Sequence, residues 1–115
     1  MREHIMKLTP IPMREMRDGR KTFELRLYDE KRKQIAVGDT IKFVNTEDSK
    51  DILSVKVINL FVFNSFFDLY RHLPLLKCGY NEDNINNASP DDMDAYYSKE
   101  TQAQYGVIGI EISLI

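Results

Sequence analysis

Apolar residues recur at every second position over several stretches of this chain, and at every third or fourth over shorter stretches between them. His4-Ile5-Met6-Lys7-Leu8 alternates and runs into Thr9-Pro10, which predicts a short strand and then a helix with Thr9 as N-cap and Pro10 at the first helical position. Ile11, Met13 and Met16 supply the apolar side of that helix, with Arg14, Arg17 and Asp18 outside it. Pro12 fits only in the first turn, and Gly19 ends the helix. From Thr22 to Leu27 the alternation returns. Thr22, Glu24 and Arg26 share one face, and Phe23, Leu25 and Leu27 the other, a core face. Asp29 to Lys33 is too polar and short for a core element and reads as a turn or a single helical turn. Gly38-Asp39 then reads as a tight turn into a strand over Thr40 to Phe43.

The second half follows the same grammar. Val44 to Lys50 reads as a polar hairpin loop and Ile52 to Phe63 as the longest strand. Leu53, Val55 and Val57 alternate there, before Leu60-Phe61-Val62-Phe63 becomes apolar on both faces, which predicts a segment covered from both sides. Ser65 caps a helix over Phe66, Phe67, Leu69, Tyr70 and Leu73 that Pro74 stops. Lys77 to Ala88, rich in glycine and asparagine, has no period and reads as a loop. Ser89-Pro90-Asp91-Asp92 opens the last helix, its two carboxylates at the positive end of the helix dipole and Met93, Tyr96 and Tyr97 on its apolar side. Thr101 to Tyr105 leads into the final strand, Val107 to Ile115. Strands and helices in this order make an α+β fold.

Composition narrows the picture. A chain of 115 residues fits a single domain, residues 1–115, with enough buried surface to need no covalent staple. One cysteine, Cys78, excludes an internal disulfide. The apolar runs fall far short of the ~20 residues of a membrane helix, and no secretory leader is visible, so a soluble cytoplasmic protein with no membrane partner is expected. A net charge of −2 argues against holding nucleic acid through bulk electrostatics. The charge is unevenly spread: residues 14–33 carry eight Lys/Arg against five Asp/Glu, and residues 81–100 one Lys against six Asp/Glu. The acidic stretch leaves open a protein-interaction module.

No metal-ligand spacing, glycine-rich phosphate loop or nucleophile elbow occurs, so neither metal nor cofactor is expected. His4 is a candidate acid or base by residue type, with a structural role as the alternative. The ordered set Gly19, Arg20, Lys21, Glu24, Arg26 is the candidate site. Lys21 is a point cation, Arg26 a planar fork suited to phosphate or a base edge, and Glu24 an acceptor that can orient either or take an exocyclic amine. Lys31-Arg32-Lys33 would add positive potential over the same mouth, and Tyr97 and Tyr105 are candidate stacking walls for a base. A salt-bridged strand face of little energetic consequence is the plainer reading of the same residues.

The order Gly19-x-Lys21-x-x-Glu24-x-Arg26, then Gly38-Asp39 and a strand, Asn64-Ser65-Phe66, and Tyr105-Gly106-Val107-Ile108-Gly109-Ile110 resembles the ASCH domain of the PUA-like superfamily over nearly the whole chain. The resemblance implies a small, partly open mixed β-barrel with two or three flanking helices and a cleft, lined by the motif, that binds RNA or a nucleotide. It also implies an alternative, hydrolysis of acylated cytidine or of RNA. In the family's amidohydrolases the motif lysine is catalytic, a threonine follows three residues later, and a downstream helix or loop supplies a glutamate. Lys21 matches the lysine. Glu24 stands where the threonine is expected, and Glu82 is the candidate downstream carboxylate. In a hydrolase Lys21 and Glu24 would be the catalytic pair.

Overall fold

The computed structural model describes residues 1–115. Its strands are β1 (Glu3–Leu8), β2 (Phe23–Leu27), β3 (Thr40–Asn45), β4 (Asp48–Phe63) and β5 (Val107–Leu114), and its α-helices are α1 (Pro10–Arg17), α2 (Phe66–His72) and α3 (Lys99–Tyr105). The strands form one mixed sheet in the order β1-β3-β4-β5-β2, with β1 parallel to β3 and every other pair antiparallel. The sheet curls into a half-barrel whose free edges are β1 and β2. The fold is α+β with flanking helices, as the pattern predicts.

Each face of the sheet has its own core. Met6, Leu8, Ile41, Phe43, Val55, Val57, Ile108, Ile110 and Ile112 fill the concave side, closed by Met13 and Met16 of α1 and by Ile35. Phe23, Leu25, Leu27 and Val107 on the convex side pack against Phe66 and Leu69 of α2, Leu73 just after it, Cys78 and Met93. A single extra residue links the two patterns. The register of β4 against β5 shifts between Val57 and Asn59, leaving Ile58 unpaired. Such a bulge reverses the alternation: Val55 and Val57 face inward before it, whereas after it Leu60 faces inward and Phe61 and Phe63 turn to the convex helices. The complete cover expected for Leu60 to Phe63 is not found, because Val62, although paired with the buried Ile108, is half exposed.

Several local expectations need correction. Ile11 points to solvent, so Met13 and Met16 alone carry the buried side of α1. β4 starts at Asp48, which shrinks the expected polar loop to a tight turn at Thr46 and Glu47. Ser89 does cap the segment after it, with a reciprocal bond from its own backbone to Asp92, but Pro90–Ala95 is a 3₁₀ turn. The last α-helix begins only at Lys99. Ser98 accepts a bond from the Thr101 amide and starts a second helix, so the predicted single helix breaks in two. Ser65 caps α2 as expected, accepting from the Asp68 amide.

His4 has a structural partner. Asp39, in the turn before β3, accepts bonds from His4 Nε2 at 2.8 Å and from the Arg2 and Ala36 amides. These bonds, that of His4 foremost, hold the Asp39 carboxyl well below the usual range. The pair ties β1 to the β3 turn. No helix of the protein is long and apolar enough to cross a membrane.

Candidate functional site

β2 places Glu24 and Arg26 on the concave face of the sheet, directly across from Ile110 and Ile108 of β5. There the half-barrel is open, and the segment from Cys78 to Tyr97 folds over the opening to make a cleft of about 410 Å³. Lys21 is set by the turn after α1, where its own amide and that of Arg20 both donate to the Glu15 carbonyl. Gly19, at φ +80, permits that turn.

Three charged side chains converge on the floor. Glu24 is 5 % exposed and Lys21 6 %. One Glu24 oxygen lies 3.3 Å from Lys21 Nζ and the other 2.7 Å from Arg26. Lys21 Nζ also donates to the Cys78 carbonyl at 3.0 Å. Arg26 Nη2, which also faces Glu24, donates to the Lys7 carbonyl at 2.7 Å, reaching from one free edge of the sheet to the other. Burial by itself raises the Glu24 carboxyl, but the charges of Lys21 and Arg26 and the bonds they donate outweigh it and hold the carboxyl low. On Arg26, burial works against the charged form and the Glu24 carboxylate overrides it, so the guanidinium is held still more firmly protonated. The cluster carries one net positive charge, two cations against one carboxylate. Exposed strand pairs of little consequence are ruled out by its burial.

Tyrosines make the walls. Tyr97 lines the cleft and stacks its ring on Phe66, with centroids 6.2 Å apart and planes 14° apart. Tyr96 stands at the rim, 73 % exposed. Tyr70, Tyr80 and Asp92 also line the cleft and are linked in line, Tyr70 to Tyr80 at 2.8 Å and Tyr80 to Asp92 at 2.6 Å. Burial raises the Tyr80 phenol far above its ordinary value, and its bonds to Asp92 and Tyr70 add to the rise. Burial likewise pushes the Cys78 thiol up to about 11, with Lys21 opposing.

Of the sequence candidates, Lys21, Glu24, Arg26 and Tyr97 line the cleft. Gly19 and Arg20 do not. Gly19 shapes the turn, and the exposed Arg20 pairs with Asp18 at 3.0 Å. Tyr105 is also outside, at the end of α3 against the convex core, because Gly106 redirects the chain into β5 there. Glu82 is exposed and not among the lining residues, which removes it as a partner for Lys21 in this arrangement. Lys31, Arg32 and Lys33 are absent from the lining. They bond to the Ile5 carbonyl, Asp29 and Glu30 instead. The cleft is therefore not basic as expected, since Lys7, Lys21 and Arg26 are matched by Glu15, Glu24 and Asp92. The acidic stretch is partly satisfied within the chain, where Lys99 pairs with Asp91 and Asp94. Tyr70, Tyr80, Asp92 and Tyr96 also line the cleft, and no motif in the sequence marks them. They lie far in sequence from Lys21, Glu24 and Arg26, and the one local hint, paired tyrosines at 96 and 97, equally fits the apolar side of a helix.

Comparison with known proteins sets the geometry in a family. The model of the ASCH domain matches residues 6–115. The crystal structure of hypothetical protein PH0355 superposes with a TM-score of 0.80 at 32% identity, over 100% of both chains. The solution structure of protein PF0455 from Pyrococcus furiosus superposes with a TM-score of 0.74 at 32% identity, over 98% of this chain and 97% of that one. The crystal structure of ASCH from Zymomonas mobilis, 13% identical, shares the fold with a TM-score of 0.68 over 96% of this chain and 66% of that one. No curated protein matches the sequence.

Proposed function

This chain belongs to the ASCH domain family, and from that premise we propose that its cleft binds a nucleoside-type unit, free or within RNA. The family is often linked to RNA binding. One observation carries the reading: a buried lysine–glutamate–arginine cluster of net charge +1 forms the floor of a cleft walled by tyrosines. A volume of about 410 Å³ lies within the ~300–1,000 Å³ typical of small-ligand sites. Lys21 and Arg26 are donors for a ring carbonyl. The buried Glu24 holds both in place. Tyr97, braced on Phe66, and the rim residue Tyr96 offer ring faces for stacking, worth ~1–3 kcal/mol per base. Equal numbers of cations and carboxylates in the lining favour recognition of the base and sugar over capture of a phosphate chain.

The test is calorimetric titration of the four ribonucleosides and short unpaired RNAs into wild type and Lys21→Met, which keeps volume and removes charge. Binding to wild type that falls at least about ten-fold in the variant, the loss of a charge-assisted bond, supports the site, provided thermal unfolding shows the variant folded. Equal affinities overturn it.

Hydrolysis of acylated cytidine is the second reading, favoured by the 3.3 Å approach of Lys21 and Glu24 inside the cleft. Two of the three Lys21 protons are committed, one to the Cys78 carbonyl and one toward Glu24. As a base or nucleophile the amine would have to give up those contacts. Incubation with N-acetylated cytidine and with RNA decides it: release of acetate or cleaved strands by wild type but not by Lys21→Met makes the protein an enzyme.

A further inference from the structure

Resting on the reading of the cleft as a nucleoside site, we propose that Tyr70, Tyr80 and Asp92 form a second subsite that selects a free sugar cis-diol and rejects a phosphate there. Proton bookkeeping carries the argument. A carboxylate has no proton to give, so the 2.6 Å contact fixes Tyr80 as donor to Asp92. Tyr80 has only one proton. In the 2.8 Å contact between the phenols Tyr70 must therefore donate to Tyr80.

Every hydroxyl proton of the relay is spent within it. What the relay offers the cleft is lone pairs: two on Tyr70, one on Tyr80 and those left on Asp92, which also accepts from the Ser89 amide. Such a wall accepts hydrogen bonds and cannot donate them. The floor has the opposite polarity, since Lys21 and Arg26 are donors. A guest that fits both presents acceptors to the floor and donors to the wall. A nucleoside does so when an acceptor of its base, a ring carbonyl or, in adenine, a ring nitrogen, lies on the floor and its 2′- and 3′-hydroxyls reach the relay. A phosphate at the wall brings acceptors to acceptors and negative charge to the Asp92 carboxylate. The chemistry, a nucleoside with a free 2′,3′-diol, comes either as a free nucleoside or as the 3′ end of an RNA.

The experiment is calorimetry with cytidine, uridine, adenosine and guanosine, each also as its 2′,3′-dideoxy and 3′-monophosphate form, and with a short RNA ending in a 3′-hydroxyl or a 3′-phosphate. The proteins are wild type, Asp92→Asn and Tyr80→Phe. Asparagine keeps an oxygen to accept from Tyr80 and Ser89 and puts an amide donor in place of the other carboxylate oxygen, so Asp92→Asn keeps the relay, removes the charge and adds a donor to the wall. For wild type the dideoxy form binds about ten-fold more weakly than the ribonucleoside, the loss of hydroxyl bonds of ordinary strength, and the 3′-monophosphate at least as weakly. Asp92→Asn recovers at least about five-fold of the phosphate penalty, as for one screened charge removed at close range, and keeps the part of the dideoxy penalty that rests on the Tyr70 and Tyr80 lone pairs. Tyr80→Phe shrinks the dideoxy penalty. Tighter binding of the hydroxyl-ended RNA than of free nucleosides assigns the guest to an RNA end, and the reverse to a free nucleoside. Equal binding of dideoxy and ribo forms, or an unchanged phosphate penalty in Asp92→Asn, overturns the subsite and leaves the nucleoside reading standing. Failure of every nucleoside and RNA to bind wild type overturns both.

Discussion

Glu24 balances two cations inside the protein, and its environment makes its charge a condition of folding. Replacing it by glutamine leaves Lys21 and Arg26 facing each other below the surface. Breaking a buried pair in this way costs about 3 kcal/mol, so Glu24→Gln is expected to unfold at markedly lower urea, with binding lost as well. The pH dependence follows from the direction of the shift. The folded carboxyl sits below its usual value, so its contribution is fully present above the unfolded value of about 4.3 and is lost as pH falls through the folded one. Wild-type stability should therefore fall more steeply below about pH 4 than that of Glu24→Gln, a difference that urea titrations at stepped pH measure. Asp39, also held low, contributes with the same sign in both proteins and leaves a residual acid slope in the variant.

Among the elements, the junction from α3 to β5 depends most on one residue type. Gly106 sits at φ 72 and ψ −171, a region almost restricted to glycine, and a Cβ there would stand 3.0 Å from the Phe63 carbonyl oxygen. Gly19 also has positive φ, yet a Cβ there would meet nothing within 4 Å. Gly106→Ala is thus expected to cost about 2–3 kcal/mol and Gly19→Ala about 1 kcal/mol. Thermal unfolding of the two variants checks the order, and a reversal would mean that the turn before Lys21, not the turn into β5, is the tighter constraint. The bulge at Ile58 acts on the same scale. One unpaired residue lets a single strand serve the concave core with Val55 and Val57 and the helices with Phe61 and Phe63.

At the scale of the molecule, the half-barrel is closed by side chains where no backbone ladder joins its edges. Arg26 reaches the Lys7 carbonyl and Lys31 the Ile5 carbonyl, both on the free side of β1. This seam joins β1 to β2 beside the cleft, so floor and closure share Arg26. Lys31→Met removes one tie without touching the floor. Hydrogen exchange over residues 3–8 is expected to speed up about ten-fold, a lost charge-assisted bond, while β4 and β5 keep their protection. Unchanged exchange in β1 would show that pairing with β3 alone holds the edge.

Local order in the chain was enough to set every strand, the caps at Ser65 and Ser89, the apolar face of β2 and the grouping of Lys21, Glu24 and Arg26. Each of these depends on neighbours within a few residues, through side-chain alternation, capping or a glycine turn. The break at Ser98, the reversal at Ile58, the exposure of Arg20 and Val62 and the exclusion of Tyr105 from the cleft depend on what packs or bonds from elsewhere. So does the charge of the cleft. Lys31 to Lys33 are a basic run in sequence, but in space they are spent on Ile5, Asp29 and Glu30, while Glu15 and Asp92 arrive from distant segments to offset Lys7, Lys21 and Arg26. Sequence alone determined which residues could carry charge to the site. Only the curl of the sheet and the docking of residues 78–97 decided which of them share one cleft, because Coulombic and hydrogen-bond energies depend on distance and burial, which spacing along a chain does not specify.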